Sequence, residues 1–135
     1  MKLKIVVTSI VLILIVVLLV LRVGNSSSLL PREDGIVGIT VNSLPEGYHY
    51  SFSGDEVHII IEYLASIDLI SDFSENPNEY HGAVWVISIQ YENGDVVTVH
   101  HMGNKFIKNN SGPWYKMNYD EANRFEYLLD ELTEK

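Results

Sequence analysis

From residue 5 to residue 21 every side chain is aliphatic except Thr8 and Ser9, and Val23 extends the run past Arg22. No other stretch constrains the chain so strongly. A helix that is apolar on every face shows water no amphipathic stripe, so it belongs in a bilayer or deep in a large core. As a helix, these 17 residues reach about 25 Å, the short end of a bilayer crossing. Lys2 and Lys4 stand before the run and Arg22 alone stands after it. The positive-inside rule then keeps residues 1–4 in the cytoplasm and sends everything beyond the run outside. The expected organisation is a transmembrane helix or uncleaved signal anchor over 5–23, a flexible tether over 24–35 and an extracellular domain over 36–135. A cleaved signal peptide is the competing reading, because residues 24–28 are small, and it would make the domain secreted. Against it, a signal core runs only about 7–15 apolar residues.

Charge divides at the same place. Residues 1–28 hold Lys2, Lys4 and Arg22 and no acid, a charge of +3. The rest holds six basic and 18 acidic residues, a charge of −12 within a chain total of −9. An acidic domain of this kind is no nucleic-acid binder, which would turn a basic face to phosphates. The chain has no cysteine, and this excludes disulfides, thiolate metal sites and cysteine nucleophiles together. Small exported eukaryotic domains commonly lean on disulfides. An exported domain without them fits a bacterial envelope, most simply a Gram-positive one.

The last 100 residues suffice for one core in two layers. Strand patterns occupy 36–41 and 48–52. Ser53-Gly54-Asp55-Glu56 matches a capping box, with Phe52 and Val57 placed as a hydrophobic staple. The helix it opens carries Val57, Ile60, Ile61, Leu64 and Ile67 on one stripe and should end near Asp68. Residues 71–82 read as a loop. Residues 83–91 and 95–101 read as strands, and register decides the turn between them. A three-residue turn with Gly94 left-handed pairs Tyr91 with Asp95, Ile89 with Val97 and Ile87 with Val99. That choice gathers Trp85, Ile87, Ile89, Val97 and Val99 on one face, continues it to His101, and leaves His100 outside. Two more strands over 105–108 and 113–117 precede a helix capped by Asn118, with Ala122, Phe125, Leu128, Leu129 and Leu132 on its apolar stripe. The expected fold class is α+β: an antiparallel sheet of about five to six strands with two amphipathic helices on one face.

The helix start over 53–64, the run Ile87-x-Ile89-x-Tyr91-x-x-Gly94, the pair Trp114-Tyr115 and the closing helix resemble small exported or membrane-anchored domains of unknown function from Gram-positive bacteria. The resemblance covers most of 48–132. It consists of core and turn positions, so it implies location and fold and transfers no catalytic residue.

Sites of chemistry are sparse. His100 and His101 are adjacent on a strand, so their side chains point to opposite faces and cannot jointly hold one ion. A metal site would need one of them with His49, His58 or His81 and a carboxylate, and no zinc-type spacing joins them. Asp72, Glu75, Asn76, Asn78 and Glu79 offer oxygen ligands but lack the alternation and central glycine of a calcium loop. No nucleophile elbow, phosphate loop or serine–lysine pattern occurs. No catalytic, cofactor-binding or metal-binding residue is therefore assigned, and no cofactor is expected. The outer sheet face, with Val84, Val86, Val96 and Thr98 beside Ser88, Gln90 and His100, is apolar for a solvated surface. Either a protein partner or the chain itself covers it: an N-terminal strand, or the 71–82 loop. The expected function is a single-pass membrane protein presenting a small acidic module for contact with an envelope protein. The alternative is a secreted or tethered ligand-binding domain or hydrolase with a His/carboxylate pocket.

Overall fold

Alternation in the strands decides how the sheet sits. In the computed structural model, which describes residues 29–30, 32–110 and 112–134, the order is β1 (Ile36–Leu44), β2 (His49–Phe52), α1 (Asp55–Ser66), β3 (Val84–Tyr91), β4 (Val96–Met102), β5 (Phe106–Asn109), β6 (Tyr115–Lys116) and α2 (Tyr119–Thr133). The strands form one antiparallel sheet ordered β2-β1-β3-β4-β5-β6. Ile39, Val41, Ile87, Ile89, Val99 and Ile107 turn one way and are almost fully buried. The two helices close over them with Val57, Ile60, Ile61 and Leu64 from α1 and Ala122, Phe125, Leu129 and Leu132 from α2. The α+β architecture is as the patterning implies.

The β3–β4 register is the expected one: Ile89 faces Val97 and Ile87 faces Val99. Gly94 has φ 89°, and its N–H donates to the Tyr91 carbonyl at 2.9 Å. Asn118 caps α2 by accepting from the Asp120 N–H at 3.1 Å.

The start of α1 differs from expectation. The Ser53–Glu56 capping box does not form; Gly54 is the N-cap, with φ 59° and ψ −130°, and no side chain caps the helix. That conformation is open to glycine and strained for any L side chain. It brings the chain in one residue later, so Glu56 no longer stands at the third helical position. The staple survives, since Phe52 and Val57 are both buried. The helix also ends at Ser66, whose hydroxyl donates to the Tyr63 carbonyl at 2.7 Å and takes up a last-turn acceptor. We expect Gly54→Ala to cost about 1–3 kcal/mol and Ser53→Ala to be nearly neutral in urea unfolding. The reverse order would restore the capping box.

The segment expected as a tether over 24–35 is folded from Leu29 onward. Leu29 and Leu30 are buried in the main core, and the Asn109 amide donates to the Leu29 carbonyl at 2.8 Å. Arg32 lays its guanidinium 4.4 Å over the Tyr91 ring and donates to Asn93 at 2.9 Å, while the Tyr91 hydroxyl donates to the Arg32 carbonyl at 2.8 Å. The Glu92 N–H closes the arm on the Gly35 carbonyl at 2.8 Å. Composition alone could not place this arm, because its charged residues look solvated and its two leucines are too few to show a period. The expected cytoplasmic end, the 5–23 run and residues 24–28 lie outside the described residues. Among the described residues no helix is long and apolar enough to cross a membrane.

Candidate functional site

The five histidines go to five separate environments. His101, on the inner face of β4, is 1% exposed and stacks on Phe125 with ring centroids 4.9 Å apart. Its Nε2 lies 2.9 Å from the Tyr63 hydroxyl, and its Nδ1 has no hydrogen-bond partner. Burial pushes its pKa down to about 4, against weaker opposition from the backbone at His101 and Gly103. Burial likewise holds the Tyr63 hydroxyl well above its usual range. The pair is therefore neutral and structural, tying α1 to β4 beneath α2.

His100 points the other way, between Val86 on β3 and Lys108 on β5. Partial burial, and then the Lys108 charge, lower its pKa. His49, on edge strand β2, sits 2.6 Å from the Asn42 side-chain oxygen, which accepts, and 3.4 Å from the Ser51 hydroxyl. His58 pairs along α1 with Glu62 at 3.2 Å, both exposed. His81 is exposed in the loop before β3. Among the described residues no three His, Asp or Glu side chains converge as metal ligands.

The acidic loop 71–82 is engaged with lysines. Glu75 accepts from Lys116 at 2.5 Å and lies 3.9 Å from Lys105. The Lys116 hydrogen bond holds its carboxyl below the usual range. Glu79 accepts from the Asn76 amide at 3.2 Å, and Asn76 caps the short 3-10 turn Pro77–Glu79. The loop's aromatic residues explain why it lies where it does. Phe106 faces the outer side of the sheet yet is only 1% exposed, because Phe73 and Tyr80 pack on it with centroids 5.5 and 6.4 Å away. Just before the loop, Ile70 exchanges two backbone hydrogen bonds with Lys116 and pairs with that edge of the sheet.

The loop thus covers only the β5–β6 end of the outer face, and β1 lies within the sheet instead of over it. Across the remainder runs a row of neighbours from five strands: His49, Asn42, Val86, His100 and Lys108. Lys108 lies 4.7 Å over the Trp114 ring. Ser51, Thr40, Ser88 and Thr98 form the adjacent row. Val84 and Val86 are half-buried, while Val96 at 53% and Leu44 at 55% exposure mark opposite ends of an open surface. Of the tryptophan–tyrosine pair, Trp114 sits outside with Lys108 and Tyr115 packs against the core. A separate groove of about 480 Å³ runs between the helices past Ile59, Glu62, Arg124 and Tyr127.

Sequence reasoning anticipated the outward valines and His100. It missed Phe106 as a covered outer residue. The only signal was an aromatic residue in phase with lysine instead of with Ile107. Comparisons with protein-family models, with curated proteins and with solved structures find no match for this chain.

Proposed function

We propose that this chain is a single-pass membrane protein of a bacterial envelope, anchored by residues 5–23 with its N-terminus inside. It presents a small acidic domain outside as a non-catalytic interaction or accessory module. The location rests on the apolar run, its flanking lysines and the absence of cysteine. The observation that carries the function is the separation of the histidines. Each has its own surroundings and none shares a cleft with a carboxylate and a second histidine, the pocket on which the ligand-binding or hydrolase alternative depends. What lies open instead is a sheet face mixing valines with hydroxyl and amide groups, a surface suited to protein contact.

Two measurements test this. In intact cells the full chain should stay with the membrane fraction after an alkaline wash; quantitative recovery in the medium would instead mean signal cleavage. Val86→Lys combined with Val96→Lys should remove the partners or self-association recovered by the native chain. Identical profiles for both proteins would rule the outer face out as the contact surface.

A further inference from the structure

The charges of the strands and α-helices are sorted by face, while the 71–82 loop brings Glu75 to the β5–β6 end of the outer side. All 18 Asp and Glu residues of the chain lie among the described residues, and none of them falls in a strand. The helices that cover the inner side are the acidic elements: α2 alone holds Asp120, Glu121, Glu126, Asp130 and Glu131 against Arg124. The outer face bears Lys108, which makes no ion pair among the described residues, and neutral groups around Val86 and Ser88. Two copies meeting by their helices would bring like charges together across a desolvated contact. Two copies meeting by their outer faces would bring together strands that carry no acid, with Lys108, unpaired among the described residues, the charge to be accommodated.

Resting on the interaction-module reading above, we propose that the occupant of this face is a second copy of the chain. The two sheets pack face to face about a two-fold axis parallel to the strands. Such isologous contacts are the commonest basis of homo-oligomers, and two packed sheets need only mutually accommodating side chains. The size is adequate. Five strands at about 4.8 Å spacing, from four to nine residues long, project on the order of 500 Å², at the threshold of roughly 500 Å² per partner for a specific interface. The axis direction follows from the N-terminal end of the described arm. Leu29 is held by Asn109 at the end of β5 nearest the β3–β4 turn, so a strand-parallel axis puts both copies' N-terminal arms at the same end. Only residues 24–28 then separate each arm from the apolar run, a reach of at most about 20 Å, so both anchors can enter one bilayer.

The native chain has no cysteine, so single introduced thiols report cleanly. Ser88→Cys, at the centre of the outer face, and Glu126→Cys, on the exposed side of α2, are each made in the full chain in membranes and treated with a short bismaleimide. The expected result is a shift of Ser88→Cys to twice the monomer mass while Glu126→Cys stays monomeric. That product should disappear when Val86→Asp is added. Gln90→Asp, at an exposed outer position, should also reduce it, which separates loss of contact from loss of folding. Equal dimer from both thiols, or none from Ser88→Cys, would overturn the proposal. Linkage of Ser88→Cys to a different protein would overturn the second copy as occupant while leaving the interaction module standing. Loss of the chain from the membrane fraction would count against the anchor alone.

Discussion

Leu29→Ala together with Leu30→Ala is expected to remove on the order of 4 kcal/mol or more of folding stability, the largest effect of any change outside the predicted elements. Each leucine is almost fully buried, at 3% and 5% exposure, within the cluster shared by the sheet and both helices. A buried Leu→Ala change costs about 2–5 kcal/mol through lost transfer energy and the cavity left behind, and adjacent sites need not add. Against a total of about 5–15 kcal/mol for a domain, the double variant should be largely unfolded or close to it. The control is Val37→Ala, at a position 52% exposed in β1, expected to change stability by less than about 0.5 kcal/mol. Urea unfolding of the full chain in detergent, followed by the fluorescence of Trp85 and Trp114, measures both. An unshifted midpoint for the leucine variant would show that the arm is a passive tether.

Acid is expected to destabilise the domain through His101. Its native pKa of about 4 lies below the ordinary histidine value of 6.5, so between those values the unfolded chain binds the proton and the native fold resists it. Stability from this group is complete above pH 6.5 and falls as pH drops toward 4, by about 1.4 kcal/mol per pH unit, approaching about 3 kcal/mol in all. Below pH 4 the native ring also charges and the loss levels off. The ring sits between Tyr63 and Phe125 with no carboxylate in contact, so no opposite charge offsets protonation. His101→Gln keeps an acceptor for the Tyr63 hydroxyl and does not titrate. The difference in unfolding free energy between native and H101Q proteins should be constant above pH 6.5 and shrink below it. A pH-independent difference would mean that the ring is protonated in the fold or reachable by water.

The leucines and the histidine show where periodicity stops being informative. Register alone places His101 on the inner face, because period-two alternation carries a residue inward whatever its polarity. Its neutral state needed the third dimension: Tyr63 comes from α1 and Phe125 from α2, and neither position announces the other. Ser53 and Gly54 make the complementary point. Both residue types favour helix starts, and a local pattern cannot say which one the chain uses when Phe52 must also reach the core. Phe106 is the same case on the outer face, where Phe73 and Tyr80 arrive from a loop with no period of its own.

Local physics written in the sequence decided the apolar run with its flanking charges, the six strands and two helices, and the β3–β4 register. All of these follow from spacings of one to four residues, which backbone geometry converts directly into faces and turns. The tertiary structure alone decided that the arm from Leu29 belongs to the core, that the 71–82 loop shields only one end of the outer face, and that the histidines stay apart. Those outcomes depend on contacts between residues tens of positions apart. No short-range rule encodes them, because they are set by which surfaces remain once the two layers have closed.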